Sequence, residues 1–177
     1  MKNKNLLKNT VYTALFAALV YVATMVIHIH IPAPGAMGYI NFGDCVVLTS
    51  GLLLGPLYGG LASGIGSCLA DATYGHMIYV PGTFVVKALM AATSSLIYKC
   101  ISKNKKDYKT LPLIISSIAG ECVMVFGYFL YESALPGIGV PGAVLGVTAN
   151  ISQALAGAFL TFLIIKLMKK AKITDML

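Results

Sequence analysis

Five ionisable side chains sit inside apolar stretches of this 177-residue sequence: Asp44, Asp71, Lys87, Glu121 and Glu132. A charge taken into a bilayer costs at least a few kcal/mol unless it is paired or wet, so each is a candidate for binding chemistry. Counting about 1.5 Å per helical residue from the inferred outer ends puts Asp44 and Lys87 one or two turns deep, Asp71 and Glu132 close to the surface, and Glu121 near the middle of the membrane. Tyr128 and Glu132 follow Glu121 by seven and eleven residues and share its helix face, which reads as the wall of a cavity open to the outside. Thr83 lies one turn above Lys87, and Asn150 and Gln153 put two amides on one face of another helix. Glu121, Lys87, Asp71, Asp44, Tyr128, Asn150, Gln153 and Thr83 therefore form the candidate substrate-binding set. A structural ion-pair network competes with ligand contact for Asp44, Asp71 and Lys87, and interhelical hydrogen bonding competes for the two amides. Glu121 has no basic residue at its expected depth, so it carries a proton or takes a donor from a ligand.

Other chemistry finds little support. The sequence holds no GxxxxGK[ST], HExxH or GxSxG, the patterns that would cradle nucleotide phosphates, bind a catalytic zinc or present a nucleophilic serine, so no enzyme activity is expected of this chain. His28-x-His30, with His76 and Asp71, is the one arrangement that invites a metal test. Residues at i and i+2 diverge on a helix and converge only on an extended segment, so neither a metal site nor a bound cofactor is expected. Cys45, Cys68, Cys100 and Cys122 are scattered without a CxxC pair and read as small packing residues.

The elements that must position these side chains are membrane helices. The chain is 58% hydrophobic and 11% charged, with mean hydropathy +0.83, too apolar for a soluble domain of this length. Apolar runs predict an all-α integral membrane protein, one domain over residues 1–177, with six transmembrane helices near 8–29, 42–54, 57–74, 82–101, 111–133 and 142–168. The second is too short to cross comfortably unless tilted or shielded by its neighbours. The first follows lysines and precedes small residues, as a signal peptide would. Its apolar stretch exceeds the 7–15 residues of a signal core, however, and it is read as a retained helix. All thirteen basic residues are lysines, and twelve lie in the N-terminal segment, around the connection between the fourth and fifth helices, and at the tail. By the positive-inside rule those places and both termini are cytoplasmic. Lysines flanking spans are topological determinants, so the pI of about 9.2 does not argue for nucleic acid. Small residues repeat every four positions at Ala14 and Ala18, with Ala17 beside them, and through Gly51, Gly55 and Gly59, spacings that let helices approach closely.

The runs Asn41-Phe42-Gly43-Asp44, Gly51-Leu52-Leu53-Leu54-Gly55-Pro56-Leu57-Tyr58-Gly59-Gly60, Gly64-Ile65-Gly66, Leu69-Ala70-Asp71 and Pro81-Gly82-Thr83-Phe84 with Lys87 resemble the substrate-binding S component of energy-coupling factor (ECF) vitamin transporters, closest to the riboflavin-type branch. The resemblance implies six helices around an externally open site, in the plasma membrane of a bacterium. It also implies that Ala14, Ala17 and Ala18 pack on a membrane-embedded T subunit, that two cytosolic ATPases on other chains supply energy, and that this chain binds substrate and topples in the membrane. The expected ligand is riboflavin, pyridoxine or a thiamine or hydroxymethylpyrimidine type. The excess of carboxyls over Lys87 favours a donor-rich or cationic ligand, such as an aminopyrimidine or pyridoxine, over an acidic one such as biotin or folate. Tyr39, Tyr74, Tyr79 or Tyr128 would stack on its ring, since the chain has no Trp. The alternatives are a stand-alone proton-coupled carrier for a small polar solute, using Glu121, and an assembly subunit of a membrane complex.

Overall fold

The computed structural model describes residues 2–26, 28–30, 39–102 and 108–175, with side chains except at 2–5, 28–30, 39, 40 and 175. Six helices follow in order: α1 Lys2–Val26, α2 Gly43–Leu54, α3 Pro56–Thr73, α4 Val80–Ile101, α5 Thr110–Ala134 and α6 Gly139–Lys170, with a 3-10 turn at Ile173–Asp175. Each expected helix is present, with ends moved by a few residues. The larger correction lies after α1, which was expected to run to residue 29. It stops at Val26, and β1 (His28–His30) pairs antiparallel with β2 (Tyr39–Asn41), His28 opposite Asn41. The alternation of His with β-branched Ile suits an extended strand better than another helical turn.

Among the described residues, four segments are long and apolar enough to cross a membrane: Leu6–Val26, Val80–Ile101, Thr110–Ala134 and Gly139–Lys170. The twelve residues of α2 reach only about 18 Å against a hydrocarbon core of about 30 Å. Its position resolves the shortfall. Around it the neighbours run α1–α3–α4–α5–α6, and α2 itself packs on α1, α3, α4 and α6. Nine of its twelve residues are buried, as befits a helix without a polar stripe. The main core joins Val47 and Leu48 of α2 to Val20, Val86, Met90, Ala91 and Met124. A second cluster at the lysine-bearing end gathers Leu52, Tyr98, Tyr108, Leu113 and Ile165. There Tyr108 stacks on Tyr98 at 5.5 Å, and its carbonyl accepts a 3.0 Å bond from Lys166. The outward faces carry exposed Leu15, Leu19, Leu89, Phe126 and Leu155, a surface that suits lipid.

Backbones meet closely where the sequence supplies glycine. A Cβ at Gly51 would run into the carbonyl of Ala91, one at Gly66 into the carbonyl of Ala17, and one at Gly59 would lie 2.5 Å from the Ser50 oxygen. At the turn between α2 and α3, Gly55 takes φ +88°, a left-handed conformation that side chains resist, and Pro56 starts the next helix. The hydroxyls of Ser50 and Ser63 then meet at 2.7 Å in the α2–α3 seam. On α1, Ala17 is turned inward with Phe16 and Ala62, which takes it out of the outward face, while Ala14 and Ala18 remain exposed. Gly59→Ala, which meets backbone on the facing helix, is expected to cost about 1–3 kcal/mol in thermal unfolding of the detergent-solubilised chain. The exposed Leu57→Ala should move it by less than about 0.5 kcal/mol, and equal effects would mean the seam is looser than described.

Candidate functional site

Helix α2 begins inside the bundle. Gly43 donates its N–H to Asn41 Oδ1 at 2.8 Å, and a Cβ at Gly43 would collide with the Thr24 hydroxyl. The next residue, Asp44, lies in the first turn, where the helix dipole favours a carboxylate. It pairs with Lys87, two turns into α4; the two residues are 0% and 3% exposed. The second carboxylate oxygen, Oδ2, accepts from Gln153 Nε2 at 2.6 Å. Gln153 Oε1 accepts from the Asn41 backbone N–H at 2.8 Å and from Asn41 Nδ2 at 3.3 Å. The Lys87 ammonium also lies 5.4 Å from the centre of the Tyr128 ring, whose hydroxyl donates to Thr83 at 3.0 Å. A buried ion pair survives only when its remaining lone pairs and protons are occupied, and here both carboxylate oxygens are.

Above the pair a polar cleft opens at the end of the bundle away from the lysine-bearing ends. Six of the eight expected site residues line it: Asp71, Thr83, Lys87, Tyr128, Asn150 and Gln153. Thr24, Asn41, Ser67, His76, Tyr79 and Glu132 complete the wall. Of these, Ser67 was legible in principle, since it precedes Asp71 by one helical turn and shares its face. Asn41 gave no signal as a lining residue, because strand β2 is what brings it to Gln153 of α6, and Thr24 gave none because it is an isolated threonine in the apolar run of α1. The mouth is aromatic: His76 meets Tyr79 edge-on at 6.4 Å, Tyr79 tilts on Tyr131 at 6.2 Å, and Tyr131 donates to the Ile78 carbonyl. Tyr79 donates to Glu132 Oε1 at 3.4 Å; burial, and then the neighbouring carboxylate, pushes its phenol well above the ordinary range, so it remains a donor. The room for water is about 50 Å³, space for a few molecules. A vitamin-sized ligand needs about 300 Å³ or more, so its entry requires the walls to part.

Asp44 and Glu121 do not line this cleft. Asp44 backs Lys87 from beneath. Glu121 faces α6 at Gly157, where a Cβ would collide with its Oε1 and lie 3.0 Å from the Asp44 Cβ. The expected depth of Asp44 relative to Glu121 is corrected accordingly: α2 starts deep, so Asp44 and Glu121 flank the same glycine, and the Lys87 ammonium is paired with Asp44. Neither carboxyl oxygen of Glu121 has a hydrogen-bond partner among the described residues, and the residue also borders an apolar groove of about 590 Å³ between α5 and α6. His28 and His30 stand on a strand, the setting in which alternate residues share a face, but their side chains and that of Tyr39 lie outside the described residues. Among those described, no three His, Cys, Asp or Glu converge. A buried, unsatisfied carboxyl lowers stability, so Glu121→Met, similar in size and without polar oxygens, is expected to stabilise the ligand-free protein by about 1–3 kcal/mol in thermal unfolding. A lower melting temperature would show that the carboxyl has a structural partner after all.

Comparison with known proteins gives the arrangement a family. The family model of the ECF-type riboflavin transporter S component matches residues 4–170. A protein of Pyrococcus woesei, described as an uncharacterized protein in gap 3'region, is 37% identical over 138 residues, covering 78% of this chain and 86% of that one. The solved structure of the S component of a bacterial ECF transporter superposes with a TM-score of 0.66 at 21% identity, over 96% of this chain and 98% of the other, a likeness of fold. The chain belongs to the family of ECF-type riboflavin transporter S components, and is thus a multi-pass membrane protein that serves a transporter as its substrate-binding subunit rather than an enzyme.

Proposed function

We propose that this chain captures riboflavin from outside the cell in the polar cleft and delivers it through a membrane-embedded T subunit driven by two cytosolic ATPases on other chains. The observation that carries the reading is the cleft itself, a wall of hydrogen-bonding groups drawn from α1, β2, α3, α4, α5 and α6 at the end opposite the lysines. In this reading the helix bundle crosses the membrane with both termini in the cytoplasm, and the short α2 is packed against α1, α3, α4 and α6. The charges favour a donor-rich ligand over an acidic one: Asp44 cancels Lys87, while Asp71 and Glu132 add carboxyls to the wall. Riboflavin suits this better than biotin or folate, because it joins a neutral chain of hydroxyls to a planar ring. It suits it better than pyridoxine or a thiamine-type ligand because its larger ring can use both Tyr79 and Tyr128, which line the wall. Thr83, Lys87, Tyr128, Asn150 and Asp71 are the proposed contacts, with Asp44 supporting Lys87 from behind.

Riboflavin at 100 times its dissociation constant is expected to stabilise the purified chain by about 2.7 kcal/mol in thermal unfolding, with biotin and folate giving no shift. Stabilisation by the acidic vitamins in place of riboflavin would contradict the charge argument. A second expectation concerns the partner. The exposed small face of α1 suits a close helix crossing, so Ala14→Leu or Ala18→Leu should abolish ATP-dependent uptake by the assembled transporter while leaving riboflavin affinity of the isolated chain within about twofold. Equal loss of binding in the isolated mutants would place this face in the scaffold of the cleft.

A further inference from the structure

Gln153 reaches the cleft from α6, yet its amide is committed to the protein. It is 3% exposed; its Oε1 accepts both N–H groups of Asn41, at 2.8 and 3.3 Å, and its Nε2 donates to Asp44 Oδ2 at 2.6 Å. The amide cannot be turned over, because rotation would set its NH2 against two donors and its oxygen against a carboxylate. Asn41 is oriented in the same way, since Oδ1 accepts from Gly43 N–H at 2.8 Å while Nδ2 gives to Gln153. Asp44 divides its two oxygens between Gln153 and Lys87. Donors and acceptors therefore alternate without a mismatch from the start of α2, through the last residue of β2 and the middle of α6, to the ammonium on α4. Both ends of this chain, Asn41 and Lys87, belong to the cleft wall.

We propose that Gln153 is a positioning residue, not a ligand contact: it ties strand β2 to the Asp44–Lys87 pair, so that a ligand engaging Lys87 tightens the seat of β2. The ligand half of this statement rests on the capture reading above; the tie between β2 and the ion pair does not. Asp44 reaches Asn41 through Gln153, so a change in the donor or acceptor character of residue 44 should be felt at the Asn41 backbone. A merely local role for Gln153 would not transmit it.

The test uses three near-isosteric variants of the full chain in detergent and reads hydrogen exchange at the Asn41 amide, referenced to the amides of Val47 and Leu48 in the core of α2. Asp44→Asn sets an NH2 against the Gln153 donor, and Gln153→Glu sets carboxylate against carboxylate. The two together reverse the donor and acceptor of the α2–α6 bond while keeping an acceptor for Asn41 and one for Lys87. Without ligand, each single variant is expected to speed exchange at Asn41 by at least about tenfold, and the double variant to return it to within about threefold of the parent. Riboflavin should slow Asn41 exchange by about tenfold in the parent and in the double variant, and by much less in either single one. Should the single variants fail to fold and the double variant fold, the same reciprocity is shown. Unchanged exchange in Asp44→Asn, or a double variant no better than the singles, overturns the tie. If riboflavin binds the parent without slowing Asn41, the coupling is overturned. If riboflavin does not bind the parent, the capture reading fails while the ligand-free comparison still decides the role of Gln153.

Discussion

Asp44 and Lys87 meet in the interior of a membrane domain with almost no exposure, and a charge so placed is tolerated only when a counter-charge and further hydrogen bonds surround it. That requirement organises the polar end of the bundle. For Asp44 to meet Lys87, α2 must begin within the ring of the other helices, which in turn draws Asn41 inward and lets Gln153 bridge strand and carboxylate. Lys87 is then held from behind and presents its ammonium to the cleft beneath the Tyr128 ring. The pair is costly as a source of stability. Its value lies in fixing one geometry for β2, α4 and α6, which contribute to the cleft wall.

A helix admitted to the centre of a bundle needs room, and the sequence supplies it through small residues. Gly51 against Ala91 and Gly59 against Ser50 bring backbones within reach where any side chain would stand in the way, and Gly157 leaves room for the side chains of Asp44 and Glu121. Lipid provides little hydrophobic drive between helices, so close packing and hydrogen bonds such as Ser50 to Ser63 carry much of the association. The same economy explains how a twelve-residue helix persists in a bilayer: nine of its residues are buried by protein, including the first three, Gly43, Asp44 and Cys45.

Much of this was legible in the sequence. Long apolar runs separated by Gly and Pro located the helices, and polar residues inside those runs pointed to seven members of the cleft wall before their geometry was known. The failures have specific causes. Periodicity placed Glu121, Tyr128 and Glu132 on one side of α5, and Glu121 and Glu132 do face Gly157 and Gly146, eleven residues apart on α6. Eleven residues are also about 16 Å of helix, so Glu121 falls well below a cleft whose depth no face argument can supply. The depth of Asp44 was misjudged relative to Glu121 because a helix was assumed to start at the membrane surface, whereas α2 starts inside. The β1–β2 pairing was missed because three-residue strands on either side of Pro32 and Pro34 leave no periodic signal.

The account stands on the claim that Asp44 and Lys87 act as one unit that seats α2. A double-mutant cycle on folding stability, with Asp44→Leu, Lys87→Met and both together, tests this most directly. Removing one charge strands the other, so each single variant is predicted to lose about 3–5 kcal/mol, while the double variant should recover most of that loss because no uncompensated charge remains. Additive losses in the double variant would contradict it, and would mean that the two side chains are independent and that something else holds α2 at the centre of the bundle.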